Sequence, residues 1–379
     1  MAGADRNNSR STLSKQERTP MLVFTFHLVL ACSFQAAPEV LLERPLVTIV
    51  DKTGCAPNGD KREYYTLSPY WWPNPESPDG LPYVRRDGEV NPEANTDTYD
   101  RRHYFQMTDT IVSCAAAWQT RKDERFAECA ARWARAWFVD EATSMRPGFR
   151  FGQSIPGKNE GSPEAIIRGM SLLDIHEALT SLPEAVWTEA DRSAWLQWLN
   201  AYLDWLTTSE PGQRESRAFN NHGTWYDVQV ATFAVATGRE ALAREVLAAV
   251  GEKRIRKQIK PDGRMTFELM RTKSWDYATM NLDAMTRMAE LAQGLGIDVW
   301  GYETEQGASI EAAIDWLIPY ANAPETWPAK QIVPFEPERL APALRRYIAA
   351  HPDCAERYRE TLEHLEHVKS GAKPMQGDD

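Results

Sequence analysis

Apolar residues recur at intervals of three and four along most of the chain after residue 103, which is the spacing of a helix with one buried face. No alternating run of strand length competes with this pattern. We therefore predict helices over residues 104–117, 121–138, 163–179, 189–206, 223–236, 239–258, 274–295 and 307–320. One face of the helix predicted at 189–206 consists of Trp195, Trp198, Leu199, Tyr202, Leu203 and Leu206.

Short turns separate some of these helices, as at Thr237-Gly238-Arg239 and Pro261-Asp262-Gly263. Helices joined in antiparallel pairs without a heptad seam are typical of a layered toroid. We therefore predict an all-α fold, an (α/α) toroid or incomplete barrel, as a single domain over residues 38–370. Residues 341–368 predict one more amphipathic helix or a pair, and residues 371–379 a frayed tail.

The segment before the helices lacks this periodicity. Residues 45–100 are rich in Pro, Gly, Asp and Tyr, and the run TLSPYWWPNPESPDGLPYVRRDGEVNPE at 66–93 interrupts any helix repeatedly. So long an irregular stretch in a compact protein is usually functional. We predict a lid loop at about 60–100.

The N-terminal residues indicate export. Residues 1–20 are polar, and the apolar stretch at 22–32 has the length of the central region of a signal peptide, with Ala36-Ala37 near a plausible cleavage site. We expect residues 1–37 to be an extension with a signal peptide at about 21–37, and the protein to be secreted or periplasmic. The alternative is an N-terminal strand or helix that packs on the domain. No run of about 20 apolar residues predicts a membrane span.

Charge and aromatic content narrow the partners. Lys and Arg number 43 against 54 Asp and Glu, a net charge of −11, which excludes a global attraction for nucleic acid. A polyanionic partner would need locally gathered positive charge. The 14 Trp, 13 Tyr and 12 Phe suit a large core or platforms on which sugar rings stack. Five Cys imply no disulfide framework, and Cys114 and Cys129 could pair or be buried thiols.

Three segments carry candidate chemistry. The first is Phe219-Asn220-Asn221-His222-Gly223-Thr224-Trp225-Tyr226, whose amides and imidazole could donate hydrogen bonds to an anion at a helix start, or could be a cap and a core His. The second runs from Arg271 through Lys273 and Trp275 to Tyr277, where Arg could grip a carboxylate and stabilise a phenolate, or where a helix could begin with a solvated charge run. The third interleaves aromatic and basic side chains in the lid loop: Tyr64, Tyr65, Tyr70, Trp71, Trp72, Tyr83, Arg85 and Arg86.

Other site types lack their motifs. There is no Gly-rich phosphate loop, no G-x-S-x-G elbow, and no H-E-x-x-H or C-x-x-C metal site. Asp97 and Asp100 could serve a glycosidase or bind calcium, but an Asp-containing turn is the commoner structure.

Four separated blocks resemble the alginate lyase superfamily. They are Tyr70-Trp71-Trp72-Pro73 continuing to Asn91-Pro92-Glu93, the segment from Asn220 to Gln229, Gln258 with Pro261-Asp262-Gly263, and Glu268-Leu269 followed by Arg271-Thr272 and Ser274-Trp275. The resemblance runs in order from about residue 50 to about 305. It implies a helical toroid that cleaves uronic acid polymers by β-elimination, with no metal or organic cofactor.

The resemblance also implies roles for particular residues. Asn221 and His222 match the family's Asn-His pair, Arg271 its Arg and Tyr277 its catalytic Tyr. Many relatives have His where this chain has Asp276, an acid that could raise the pKa of Tyr277. Substrate contacts are expected from the remaining polar and aromatic residues of the blocks: Asn220, Tyr70, Trp71, Trp72, Arg85, Arg86, Trp225, Trp275 and Lys273.

The expected substrate is therefore a 1,4-linked polyuronate, either mannuronate-rich alginate or glucuronan, cleaved to 4,5-unsaturated products. Asn221 and Arg271, with His222 as a further donor, would neutralise the substrate carboxylate. Tyr277 would remove the C5 proton, with His222 as a second base or acid if the elimination is anti. Two alternatives from other classes are a toroidal glycoside hydrolase and a non-catalytic protein that binds acidic glycans.

Overall fold

The computed structural model describes residues 38–371, with side chains described for residues 39–367. Helices make up most of this part of the chain. The α-helices are α1 Pro38–Glu43, α2 Arg101–Arg121, α3 Glu124–Ala134, α4 Met170–Thr180, α5 Glu189–Thr208, α6 Glu210–Glu215, α7 Asn221–Ala236, α8 Glu240–Ala248, α9 Arg256–Gln258, α10 Thr266–Leu269, α11 Ser274–Gly294, α12 Ile310–Asn322, α13 Ala341–Ala350 and α14 Ala355–Gly371.

Local sequence signals account for several helix ends. Thr188 caps α5 through its side chain, which accepts from the Asp191 backbone N–H, while Asp191 bonds back to Thr188. Asp123 caps α3 in the same way through Arg125 N–H. Between α7 and α8 the chain turns at Gly238, which has a φ of 76° and so adopts a conformation that glycine favours.

The helices form two layers, and the all-α toroid is confirmed. The inner helices α2, α4, α7 and α11 pack on one another in chain order, and α11 packs in turn on α13. The outer helices α3, α5, α8 and α12 pack against α2, α7, α7 and α11 respectively. Helix α7 is buried along nearly its whole length, as expected of a helix that is apolar on most faces.

Two π-helical segments interrupt the regular helices. Arg135–Val139 follows α3, and Gly251–Ile255 lies between α8 and α9. The single helix predicted at 239–258 is therefore broken into α8, the π-helical segment and α9. The predicted C-terminal element is the pair α13 and α14, separated at His351 and Pro352.

The lid loop contains three short strands and a 3-10 helix that the hydrophobic pattern does not predict, and one of these strands pairs with a fourth strand outside the loop. Strand β1 (Tyr65–Leu67) pairs in parallel with β4 (Phe151–Ser154), and β2 (Trp71–Trp72) pairs antiparallel with β3 (Val84–Arg85). A 3-10 helix, Pro92–Asn95, follows. Strands this short have no detectable alternation, and β1 and β4 are too far apart in sequence for a turn signal to join them.

A buried lysine fixes the base of the lid loop. Lys52 and Asp100 are both fully buried and form an ion pair at 2.9 Å. Lys52 Nζ also donates to the carbonyl oxygens of Ile49, Lys61 and Glu63 at 2.6–3.0 Å. Asp97 pairs with Arg102 instead. The Asp97 and Asp100 carboxylates are thus committed to structural contacts and do not form a catalytic pair.

The predicted signal peptide and residues 372–379 of the predicted tail lie outside the described residues. Within residues 38–371, no helix is long and apolar enough to cross a membrane. Cys114 and Cys129 are buried free thiols, so the alternative without a disulfide is the one observed.

Candidate active site

Tyr277 lies in the first turn of α11, where two other side chains contact its hydroxyl. Arg271 Nη2 donates a hydrogen bond to Tyr277 Oη at 2.8 Å, and the guanidinium carbon lies 3.9 Å from the centre of the Tyr277 ring. Tyr70 Oη, from the lid loop, is 3.1 Å from Tyr277 Oη. Burial raises the pKa of Tyr277 above its usual range, Tyr70 adds to the increase, and the Arg271 charge opposes it.

Asp87 links the lid loop to the same arginine. Its carboxylate accepts from Arg271 Nη2 at 2.8 Å and from the Thr272 backbone N–H at 3.2 Å. Burial opposes the charge on Asp87, but the bonds from Arg271 and Thr272 outweigh it and hold its pKa well below the usual range. At Gly88 (φ 82°) a Cβ atom would lie 2.4 Å from Thr272 Oγ1, so this close approach requires glycine.

His222 and Asn221, at the start of α7, each contact a buried glutamate. His222 Nδ1 is 2.6 Å from Glu215 Oε1. Burial favours the neutral imidazole, but the Glu215 carboxylate outweighs this effect and raises the pKa of His222. Asn221 is fully buried, and its backbone N and Nδ2 both donate to the carboxylate of Glu268 at 2.7 Å.

Glu268 connects the two halves of the site. Burial raises its pKa, while the bonds from Asn221 and the charges of His222 and Arg271 oppose the increase. The two cationic side chains therefore act on one carboxylate. The structure thus brings together Tyr277, Arg271, His222 and Asn221, the residues that the sequence blocks single out.

Basic side chains of the lid region lie over aromatic rings. Lys158 Nζ is 4.1 Å from the ring centre of Trp71, the Arg86 guanidinium carbon is 4.9 Å from that of Trp72, and Lys273 Nζ is 5.7 Å from that of Tyr70. Among the described residues, no carboxylate lies within ion-pair distance of Lys158, Arg86 or Lys273.

The remaining predicted contacts have other surroundings. Arg85 pairs with Asp87 at 2.7 Å. Asn220 precedes α7, and its carbonyl accepts from the Gly223 N–H at 3.1 Å. Trp225 and Trp275 are only 2% and 0% exposed. Because both indoles belong to the core, a polymer at the surface could not reach them, and neither can form part of a binding surface.

Asp276 does not face the Tyr277 hydroxyl. Its carboxylate accepts from Gln331 Nε2 at 2.9 Å and lies 3.7 Å from Arg339. The increase in the pKa of Tyr277 arises first from burial and from Tyr70.

A buried arginine supports the segment that enters α7. Arg254 donates to Asp227 Oδ2 at 2.7 Å and to the carbonyl oxygens of Ala218 and Ser216 at 2.7 and 2.9 Å. A Cβ atom on Gly223 would lie 2.3 Å from Arg254 Nη1. The glycine in the Asn-His-Gly sequence therefore makes room for this arginine.

Sequence reasoning missed the roles of Asp87, Glu215, Glu268 and Arg254. Asp87 and Glu268 lie inside the sequence blocks that resemble the family, but their spacing from the other site residues does not indicate a contact. Glu215 and Arg254 lie outside those blocks. In residues 38–371 no group of three His, Cys, Asp or Glu side chains is placed to hold a metal ion.

Comparisons with known proteins show which family has this arrangement of residues. The profile of the family described as "Alginate lyase" matches residues 48–327. The chain belongs to the alginate lyase family. It is therefore a polysaccharide lyase. Among curated proteins no sequence matches it.

Solved structures agree with the family. An alginate lyase from Bacteroides ovatus is 35% identical, with a TM-score of 0.82 over 86% of this chain and 87% of that one. Alginate lyase A1-III from Sphingomonas species A1 is 17% identical, with a TM-score of 0.50 over 83% and 86%. A substituted form of alginate lyase A1-III complexed with a tetrasaccharide, also 17% identical, gives 0.54 over 81% and 84%. The A1-III likenesses concern the fold alone.

Proposed function

We propose that this lyase cleaves mannuronate-rich alginate, or alternatively glucuronan, by β-elimination to 4,5-unsaturated products. The observation that carries the proposal is the 2.8 Å hydrogen bond from Arg271 to the half-buried hydroxyl of Tyr277, since it pairs a potential base with a carboxylate-binding cation. The name of the Bacteroides ovatus structure supports alginate as the substrate.

Neutralising the substrate carboxylate is the first requirement. The C5 proton of a uronate becomes acidic only when the adjacent carboxylate is paired with positive charge, because the intermediate that forms carries a second negative charge. We assign neutralisation to Arg271 and His222. Since Asn221 is fully buried and both its nitrogens are bonded to Glu268, we assign it to positioning this end of the site.

Tyr277 would then move the proton. Its raised pKa means that the resting side chain is a phenol, so it must first lose its proton to solvent water, and Arg271 stabilises the resulting phenolate. The phenolate takes H5, the C5–H electron pair forms the C4–C5 double bond, and the C4–O4 bond breaks. In a syn elimination Tyr277 returns the same proton to O4. In an anti elimination one side chain removes H5 and another donates a proton to O4, and His222 would be the second of these two catalytic side chains, beside Tyr277.

The lid loop would bind the flanking sugars. The rings of Trp71 and Trp72 offer stacking surfaces, and Lys158, Arg86 and Lys273 offer positive charge to the carboxylates of the polymer. Contacts from Tyr70 to Tyr277 and from Asp87 to Arg271 support a lid that covers the site and would exclude water.

The test is the absorbance of the conjugated double bond during separate incubations with polymannuronate, polyguluronate and glucuronan. We expect a rise with polymannuronate, with glucuronan or with both. Tyr277→Phe should abolish it, because the variant has no hydroxyl to move the proton. Tyr302→Phe, which removes a hydroxyl bonded to Glu252 in the π-helical segment Gly251–Ile255, is the matched control and should retain full activity.

Other outcomes would contradict the proposal in distinct ways. New reducing ends without absorbance, retained by Tyr277→Phe, would indicate a glycoside hydrolase. Binding of the polymers without any product would indicate a non-catalytic glycan-binding protein.

We also propose that the protein acts after export, on the basis of the apolar segment at 22–32 and the small residues that follow. N-terminal sequencing of the protein recovered from its native host would test this. A mature chain that begins near residue 38 is expected, and an intact N-terminus would argue against export.

A further inference from the structure

Large apolar side chains are exposed beside the catalytic segments. Phe219 is 61% exposed, Phe267 43% and Met270 82%. Phe219 lies two positions before the fully buried Asn221, and Met270 immediately precedes Arg271. Exposed apolar side chains that cluster on a soluble protein usually mark a binding surface.

The two segments that carry these side chains are joined directly. Both nitrogens of Asn221 bond to Glu268 at 2.7 Å. Consecutive Cα atoms are about 3.8 Å apart, so Phe219 and Phe267 lie within one or two residues of this junction. The chain segments that carry these exposed side chains therefore meet at the contact between Asn221 and Glu268, beside the candidate active site.

Arg217 adds an uncompensated charge to this surface. Its side chain is exposed, and among the described residues no carboxylate lies within ion-pair distance of it. The neighbouring Arg214 pairs with Glu210, and Arg254 pairs with Asp227. In a protein with a net charge of −11, a free cation next to the active site favours an anionic ligand.

The backbone around Arg217 and Phe219 is held in place. Arg254, which is 2% exposed, donates to the carbonyl oxygens of Ser216 and Ala218 at 2.9 and 2.7 Å. These two anchored residues alternate with Arg217 and Phe219. The buried guanidinium thus fixes the segment from below while the two side chains remain at the surface.

We propose that Arg217 and Phe219 form a sugar subsite for a uronate unit of the bound polymer, outside the lid and beyond the two units that are joined by the bond that breaks. Arg217 binds the carboxylate of this unit, and the ring of Phe219 packs against the C–H face of the pyranose. This inference rests on the proposed function, since it takes the polyuronate as the ligand.

The test compares Michaelis constants for oligosaccharides of increasing length and for the polymer, using the wild type, Arg217→Gln and Phe219→Ala. We expect KM for the polymer and the longer oligosaccharides to rise about three- to tenfold in each variant, with kcat nearly unchanged. The shortest cleaved oligosaccharides, which cannot reach the subsite, should show no change. Phe219→Tyr should restore the wild-type KM because it keeps the aromatic ring.

Matched controls and contrary outcomes make the result decisive. Lys257→Gln removes an exposed cation from α9, and Leu46→Ala removes an exposed apolar side chain that is far in sequence from Arg217 and Phe219. Neither substitution should change KM. An active wild type whose KM is unaffected by Arg217→Gln and Phe219→Ala would overturn the subsite alone. A fall in kcat on the shortest substrates would also overturn it, by showing that these residues act through Asn221. A wild type that forms no unsaturated product would overturn the proposed function, and the subsite with it.

Discussion

Replacing Arg254 tests whether the candidate site depends on a buried ion pair beneath it. Arg254→Met keeps a long side chain but removes the guanidinium that bonds to Asp227, Ser216 and Ala218. Asp227 is fully buried and keeps one partner, Lys253, whose Nζ is 2.9 Å from Oδ1. The two carbonyl oxygens lose their donor.

The expected cost follows from these contacts. Removing one partner of a buried ion pair typically lowers the free energy of unfolding by 3–5 kcal/mol, because the remaining charge is left uncompensated. Since Lys253 still pairs with Asp227, we expect the lower end of that range, about 3 kcal/mol. Lys253→Met breaks the other half of the same cluster, but its side chain is 36% exposed, so its loss should cost less than about 1 kcal/mol.

Urea denaturation of the wild type and both variants measures the difference. The same proteins should then be assayed for turnover, where Arg254→Met should lower kcat about tenfold or more, because the segment leading to Asn221 and His222 loses its anchor. Equal destabilisation by the two substitutions, or a cost below about 1 kcal/mol for Arg254→Met, would refute the reasoning. Normal kcat in a destabilised Arg254→Met would show that the ion pair supports the fold and not the site.

Two further substitutions test the electrostatics of the site. Asp87→Asn removes a charge that raises the pKa of Tyr277, so the rising limb of kcat plotted against pH should move to lower pH. KM should increase, because the lid loses its ionic contact with Arg271. A rising limb that moves to higher pH would contradict this reasoning. Glu215→Gln removes the charge that raises the pKa of His222 in the folded state. That contribution to stability is fully present below the unfolded pKa of about 6.5 and is lost as pH rises through the folded pKa, so the stability difference from wild type in urea denaturation should be larger at about pH 5.5 than at about pH 9. A difference that grows with pH would contradict the assignment.

The fold could be predicted where one helix face is continuous and capped. The helix predicted at 189–206 is α5, Glu189–Thr208, because its apolar face and the Thr188 cap both act locally. The helix predicted at 239–258 is interrupted by Gly251–Ile255. This π-helical segment brings Lys253 and Arg254 to the same carboxylate of Asp227, a tertiary contact that the apolar spacing does not encode.

The candidate site could be predicted only in part, for the same reason. Arg271 and Tyr277 are six positions apart, so their contact follows from one short block. Asp87 reaches Arg271 from 184 positions away, and no local pattern joins them. Trp225 and Trp275 lie in blocks next to reactive residues, but neighbouring positions on a buried helix point in different directions, and both indoles face the core.

The distribution of charge explains how so acidic a protein could attract a polyanion. Carboxylates at the site are already bonded: Asp87 to Arg271 and Thr272, Glu215 to His222, and Glu268 to Asn221. The cations over the lid aromatics and Arg217 have no such partner among the described residues. Exposed charges farther away than about 8–10 Å are largely screened at physiological ionic strength. A polymer that reaches these cations would therefore be subject to their charge more than to the net charge of −11, which is spread over the whole protein.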